Sequence, residues 1–340
     1  MDTVAVVGAA GRIGRIVLEQ LAADGVTVRR VDRELSHRTD EAIGDAAVVV
    51  DATGGQVPQL LAAAGARGCH VVEVRPDQAS VQGRFAAPAP SGDATLVPGA
   101  GLQPLVGDLL AHVAGSAVGE LEAVHVAYVF PDHRGVLGGA SPARRRIVAE
   151  ELAAPMLALL DGDVVDEPLG EHRRLAWFPR PIGPHHAAAI PGAEMVTVPR
   201  HLPGVATVRT YVAISGWRAE LLQFVGNAST SPAGRRRLVE RLERPVSEET
   251  VQRRADRRWA CVAEAAGSDG VARAWAYGRG PERLTGRAAA VVARRLLGGG
   301  TPTGVRSPAE LGAPPRLLDE LAMRTDLRWS LSRPDQPVNG

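Results

Sequence analysis

The stretch TVAVVGAAGRIG, residues 3–14, constrains the fold of this chain more than any other segment. Thr3–Val7 is a short β-branched run that suits a buried parallel strand. It leads into glycines at 8, 11 and 14. Behind them Ile13, Ile16, Val17 and Leu21 recur at i, i+3, i+4 and i+8, which is one apolar face of a helix. A strand, a glycine turn and a helix in this order place backbone N–H groups at a helix N-terminus. Those donors and the helix dipole suit a pyrophosphate. Gly8 permits the turn, Gly11 lets backbone approach phosphate, and Gly14 lets the helix pack close to the sheet.

The same alternation continues. Gly25 stands where a left-handed cap ends the first helix. Val26–Val31 reads as a second strand ending at Asp32, and Ala46–Val50 as another, closing in DATGG at 51–55. Residues 57–66 form an alanine-rich helix, followed by strands at His70–Val74 and Ala94–Val97. Strands and helices at this interval predict an α/β fold, with a parallel sheet wound on both faces. The glycine turn followed by an acid at the end of strand two points to a dinucleotide. The expected contacts are Gly8, Ala10, Gly11, Arg12 and Ile13 in the first turn, and Ala52, Thr53 and Gly54 beside the ribose and nicotinamide. Gly99 and Gly101, in PGAGLQPLVGDLL at 98–110, are expected at the nicotinamide end. Asp51 suits either a helix cap or a ligand contact.

The choice of dinucleotide is less direct. Asp32 suits the ribose hydroxyls of NAD and repels a 2′-phosphate. Arg33 directly after it could clamp that phosphate, or be a solvated loop charge. The GxxGxxG spacing and Arg33 tip the expectation slightly towards NADP over NAD.

Composition removes several chemistries. All 39 basic residues are arginine, so there is no lysine Schiff base, no P-loop lysine and no Tyr-x-x-x-Lys or Ser-x-x-x-Lys pair. A net charge of +1 and 4% aromatic residues offer neither a field nor a stacking platform for nucleic acid, and no hint of a flavin site. Cys69 and Cys261 are far apart, and neither HExxH nor a Cys/His cluster is present, so no metal is expected. No apolar stretch approaches the roughly 18–20 residues of a membrane span. No basic region followed by an apolar run opens the chain, so the expectation is a cytoplasmic protein with no membrane partner.

The second half reads as mixed sheet. Leu121–Phe130 is a strand, and Ser141 with Pro142 opens a predicted helix through PARRRIVAEELAAPMLALL to Leu160. Within it Arg144, Arg145 and Arg146 fan around the axis, mostly as a solvated face. Residues 163–178 and 186–214 read as further strands with turns at PGA and LPG. Helical stretches are expected at Leu221–Phe224 and Arg235–Leu242. GSDG joins Trp259–Glu264 to Val271–Tyr277 as a hairpin, and a last helix covers 284–297. The tail from Arg333 is expected to be disordered.

Candidate groups for chemistry are few. Asp132, His133 and Arg134 follow a strand, where His133 could donate a proton. Arg200 and His201 are read as ending a strand before a proline turn, Arg200 either as a bidentate holder of a carboxylate or as an ordinary surface arginine. His133, Arg200 and His201 are the catalytic candidates. His185 and His186 would face opposite sides of a strand and cannot hold a metal together. Tyr128 and Tyr211 read as core residues with satisfied hydroxyls, and Trp217 as packing.

Seven segments, in order, resemble the saccharopine dehydrogenase-like reductases. They are GAAGRIGR (8–15), VVVDATGG (48–55), VPGAGLQPLVGDLLA (97–111), IPGAEMVTVPRHL (190–202), VRTYVAI (208–214), ERLTGRAAAVVARRLLGG (282–299) and TGVRSPAEL (303–311). The resemblance covers most of the chain and is nearest to the actinobacterial type, related to trans-acting enoyl reductases. It implies an N-terminal Rossmann domain over 1–115 and an inserted α+β substrate and dimerisation domain over 116–280. It also implies a C-terminal helical segment over 281–332 returning to the Rossmann domain, ahead of the tail at 333–340. The implied activity is hydride transfer from NAD(P)H to a C=N or C=C bond of a small metabolite, in specialised metabolism. A homodimer is implied too, with a carrier protein as partner if the substrate is an acyl thioester. Imine and enoyl reduction stay open, as does a non-catalytic dinucleotide sensor on the same fold. The family supplies no short catalytic signature, so the three catalytic candidates rest on the residues alone.

Overall fold

The computed structural model describes residues 3–32, 34–54, 57–131, 147–148, 150–151, 155–214 and 256–334, with 220, 223, 233, 236, 237 and 240 between them. The chain divides into two compact units. Unit 1 comprises Met1–Pro76, Ser80–Leu105 and Glu282–Thr325; unit 2 comprises Asp77–Ala79, Val106–Pro281 and Asp326–Gly340. Residues 106–115, expected in the first domain, thus group with unit 2, and the segment 281–332 is shared between the units.

Unit 1 is built on a six-stranded parallel sheet. Its strands are β1 (Thr3–Val7), β2 (Thr27–Val31), β3 (Val48–Asp51), β4 (His70–Glu73), β5 (Thr95–Val97) and β14 (Gly304–Val305). Their order is β14-β5-β4-β3-β1-β2. Every residue of β1 and β3 is buried, as a strand covered on both faces requires. Around the sheet lie α1 (Arg12–Ala23), α2 (Thr39–Ile43), α3 (Pro58–Ala66), α4 (Gln78–Ala86), α7 (Pro281–Leu297) and α8 (Pro314–Arg324). Consecutive strands turn outward in opposite directions from β1, so the crevice between β1 and β3 is the topological switch point. Within unit 1, α7 packs on α1 at close range: a Cβ on Gly286 would lie 2.7 Å from Ile16. Arg324 of α8 clamps Asp24 at the end of α1, with Nη1 2.6 Å from Oδ1.

Unit 2 is built on a nine-stranded mixed sheet. Its strands are β6 (Leu121–Val129), β7 (Met156–Leu160), β8 (Asp163–Glu167), β9 (Arg173–Trp177), β10 (Pro184–Ile190), β11 (Thr207–Ala213), β12 (Arg258–Gly267), β13 (Gly270–Arg279) and β15 (Arg328–Ser332). The main path is β15-β13-β12-β6-β11-β10-β9, with the β7–β8 hairpin attached to β11. Only β6 and β11 run parallel. The same unit holds helices α5 (Gly107–Gly115) and α6 (Glu194–His201).

Three expectations change here. The helix predicted through Leu160 does not extend that far. Residues 147, 148, 150 and 151 are helical, but Met156–Leu160 is strand β7. Pro155 interrupts the helical pattern. Asp161 (φ 51°) and Gly162 (φ 88°) then form a two-residue turn into β8, the Asp-Gly hairpin signal that the apolar run concealed. Between the PGA and LPG turns, where a strand was expected, the chain forms α6, so Arg200 and His201 end a helix and not a strand. Its β-branched residues (Val196, Thr197, Val198) favour strand locally, while burial of Glu194, Met195, Thr197 and Val198 holds them helical. Finally, Arg328–Ser332 is not part of a helical segment but strand β15, paired with β13.

The expected hairpin is present as β12 and β13. Residues 223, 236, 237 and 240 of the two further expected helices are helical. Arg33, Asp132, His133, Arg134, Ser141, Arg144–Arg146 and Trp217 lie outside the described residues.

Candidate functional site

At the carboxyl end of β1 the chain turns through Gly8, whose φ of +79° is left-handed. Gly8 N–H donates to Val31 O (3.1 Å), and its carbonyl accepts Gly11 N–H (2.9 Å). Gly14, one turn into α1, passes over that carbonyl. A Cβ at Gly14 would sit 2.2 Å from Gly8 O, so only glycine lets the helix start this close to the strand. The N-cap is Gly11, with no side-chain cap on the first turn of α1. The first N–H groups of an α-helix have no intrahelical acceptor. Ala10 and Gly11 are exposed, and Arg12 and Ile13 half-buried. Arg12 is tied through Nε to Glu282 at 2.9 Å, within unit 1.

The opposite wall is the loop after β3. Ala52 N–H donates to Val7 O (3.0 Å), stitching it to β1. A Cβ on Gly8 would lie 3.0 Å from Thr53 Cγ2 and 3.1 Å from the Ala52 carbonyl carbon. Ala52, Thr53 and Gly54 are half-buried. Asp51 is fully buried. It accepts from its own turn, Thr53 N–H at 2.8 Å and Thr53 Oγ1–H at 2.6 Å. At the end of β2, exposed Asp32 accepts Leu35 N–H at 2.9 Å, which orients its carboxylate.

The third expected turn is placed differently. Gly99 and Gly101 are both buried. A Cβ on Gly99 (φ +69°) would strike Pro104 at 2.6 Å, and one on Gly101 would come within 3.0 Å of Thr285 Cγ2. Thr285 Oγ1 also accepts Leu102 N–H at 3.1 Å. Their missing side chains make room for the protein's own atoms. The structure thus gathers Gly8, Ala10, Gly11, Arg12 and Ile13 against Ala52, Thr53 and Gly54, with Asp32 on the neighbouring strand end.

Beside this corner, β4 ends in buried Glu73, which pairs in register with Asp51. Arg84 grips Glu73 through two bonds of 2.7 Å, and Arg75 Nη1 donates to Gly54 O at 3.1 Å. Burial pushes the Glu73 carboxyl up, against the pull of Arg84. No spacing in the sequence relates these four residues.

In unit 2, Arg200 is exposed at the end of α6, while the His201 side chain is only 5% exposed. His201 Nε2 lies 2.8 Å from Asp108 Oδ1, and its Nδ1 lies 3.1 Å from His112 Nδ1. His201 therefore belongs to a chain of buried polar groups joining α5 to α6. Close to it in the same unit stands Glu194, 1% exposed. Tyr128 O–H donates to its Oε1 (2.5 Å) and Thr210 O–H to its Oε2 (3.0 Å). Burial raises the Glu194 carboxyl to about 7, against these hydrogen bonds. Tyr128 has the satisfied hydroxyl expected of it; its partner had no signal in the sequence.

A second polar group lies on the sheet of unit 2. Glu264 is gripped by Arg174 and by Arg273 (Nε to Oε2 2.6 Å). The Arg174 guanidinium sits 5.6 Å from the centre of the Tyr211 ring. His125 lies opposite Glu264 on the adjacent strand. Burial and then Arg174 lower its imidazole to about 4. Among the described residues no group of three or more His, Cys, Asp and Glu is arranged to hold a metal, and no helix is long and apolar enough to cross a membrane.

Among solved structures, the chain is similar to saccharopine dehydrogenase (L-Glu forming) from Saccharomyces cerevisiae. The two are 14% identical over 98% of this chain and 100% of that one, with a TM-score of 0.60. It is also similar to the DAP dehydrogenase of C. glutamicum, solved in complex with DAP, at 13% identity over 95% of this chain and 98% of that one, TM-score 0.50. At such identities the likeness is one of fold. No family model matches the chain, and no curated protein matches it in sequence.

Proposed function

We propose that this chain is an NAD(P)H-dependent oxidoreductase of the saccharopine dehydrogenase-like type, with unit 1 as its nucleotide-binding domain. The observation that carries the reading is the N-terminus of α1, without a side-chain cap and open between the ends of β1 and β3. Backbone donors and a helix dipole there suit a diphosphate. The residues fit the group: the first turn of α1 carries no side-chain cap, Ala10 and Gly11 leave it exposed, and Gly8 and Gly14 bring the turn close to the strand. The fold likeness to two proteins named dehydrogenases agrees with this reading.

When bound, a reduced nicotinamide nucleotide supplies a hydride. The chain's part is to hold it. The N–H groups of Arg12 and Ile13 would hold its diphosphate. Asp32, oriented by Leu35 N–H, is placed for a ribose hydroxyl. Ala52–Gly54 wall the crevice. For the substrate we favour an imine over an enoyl group. Arg174 and Arg273 each spend one donor on Glu264 and keep others for a carboxylate. A small carboxylated metabolite of specialised metabolism and a homodimeric assembly complete the proposal.

Isothermal calorimetry with NADPH and NADH tests the binding step. The expected result is a dissociation constant in the micromolar range, about −8 kcal/mol. Absence of heat with both nucleotides, on folded protein, would overturn the reading. Turnover is then assayed on carboxylated imines and enoyl thioesters; tight binding with no turnover of either would make the chain a sensor.

A further inference from the structure

Asp51 is the last residue of β3, and its side chain is fully buried at the rim of the crevice. Burying a carboxylate is costly unless it is hydrogen-bonded. This one takes both the N–H and the O–H of Thr53, two positions on. Those two bonds fix the Thr53 backbone and its χ1 together. With the hydroxyl directed at Asp51, Thr53 Cγ2 points at Gly8, 3.0 Å from where a Cβ would stand there. The loop is held from a second direction, since Arg75 donates to Gly54 O at 3.1 Å. Across the β3–β4 register Asp51 meets Glu73, whose charge Arg84 meets with two bonds of 2.7 Å. Two carboxylates and two guanidiniums are thus arranged behind a loop of three small residues.

We propose that Asp51 is a positioning residue for the nucleotide. Its carboxylate locks Thr53, and through Thr53 it sets loop 52–54 as a rigid wall facing the glycine turn. This rests on the nucleotide reading given above. Asp51 itself does not touch the ligand; it removes freedom from the loop that does, so binding does not have to order that loop.

The test uses the full chain and four variants: Asp51→Ala, Asp51→Asn, Thr53→Val and Thr53→Ser. Affinity for NADPH and NADH is measured by calorimetry, apo melting temperature by scanning calorimetry, and Thr53 amide protection by hydrogen exchange without nucleotide. Loss of one buried hydrogen bond corresponds to about a tenfold change. Asp51→Ala is expected to weaken binding about tenfold or more and to speed exchange at the Thr53 amide. Asp51→Asn, which keeps shape and an acceptor, restores much of the affinity. Thr53→Val, which keeps shape and loses the hydroxyl, weakens binding about fivefold, and Thr53→Ser, which keeps the hydroxyl, weakens it less than Thr53→Val does.

Folded Asp51→Ala that binds as the unaltered chain does, or whose only change is a lower melting temperature, would overturn the proposal. Should Asp51→Ala not fold, Thr53→Val decides by the same criterion. If the unaltered chain binds neither nucleotide, the functional reading fails and this role for Asp51 fails with it. Binding by the unaltered chain with unchanged affinity in the variants sinks the Asp51 proposal alone.

Discussion

Two corners of this molecule depend on missing side chains, and they use the space in opposite ways. In unit 1, Gly8, Gly11 and Gly14 bring backbone against backbone, and exposed Ala10 and Gly11 leave the first turn of α1 open. In unit 2, Gly107 and Gly192 are filled from inside. A Cβ on Gly107 would lie 2.3 Å from the Tyr128 hydroxyl and 2.6 Å from Glu194 Oε1. One on Gly192 would lie 2.1 Å from Thr210 Oγ1. The first set leaves a helix start exposed at a crevice, and the second makes room for the chain's own carboxylate. A glycine that tolerates no Cβ is therefore not by itself a sign of a ligand. What separates the two cases is whether the freed polar groups already have partners.

The sharpest way to break this contrast is Gly107→Ala. Its new methyl meets the buried, mutually bonded side chains of Tyr128 and Glu194, so unit 2 should lose about 3 kcal/mol or more, read as a lower urea midpoint. Nucleotide affinity under native conditions should be unchanged. If Gly107→Ala leaves the urea midpoint in place, the Glu194 centre is not tightly enclosed.

The pH dependence of Glu194 comes next. Its folded carboxyl is raised to about 7 from 4.5, so the folded state binds the proton more tightly than the unfolded chain. The associated stability is fully present below about pH 4.5 and is lost as pH rises through about 7. The size is on the order of 3 kcal/mol. Tyr128, Thr210, Asp108 and Cys261 are the groups facing it that share this environment. Glu194→Gln should flatten the slope, matching the parent near pH 5 and exceeding it at pH 8 in chemical denaturation. Parallel pH profiles for the two proteins would remove Glu194 as the source.

The smallest effect belongs to the open corner. Asp32→Asn keeps an acceptor for Leu35 N–H and removes a charge from the end of β2. The ratio of NADPH to NADH affinity should rise about tenfold, which is about 1.4 kcal/mol, with no change in melting temperature. An unchanged ratio would mean that Asp32 does not face the adenosine ribose.

How much of this was legible in the sequence follows the same division. The first turn, the alternation of strands and helices in the first half and the β12–β13 hairpin were readable because strand, glycine and helix signals lie within a few residues of each other. The loop wall at Ala52–Gly54 was readable too, as small residues closing a buried strand. The β7–β8 hairpin is written in Asp161-Gly162, but the apolar run before it also fits a helix. Helix α6 was not readable, since its β-branched residues favour strand and only burial of one face reverses that preference. His201 stood out as a histidine near a proline. Its actual partners, Asp108 and His112, lie about ninety residues earlier in the chain.

The sequence alone determined the elements whose cause is local: β1, its glycine turn, α1, and the alternation that builds a parallel sheet. Tertiary structure alone decided the pairings of buried charge. Glu194 with Tyr128 and Thr210, Asp108 with His201, and Asp51 beside Glu73 and Arg84 were all settled there. Backbone conformation follows from sterics and hydrophobic period over a few neighbouring residues. A buried polar group instead takes whichever partner the fold brings within about 3 Å, and sequence distance does not encode that.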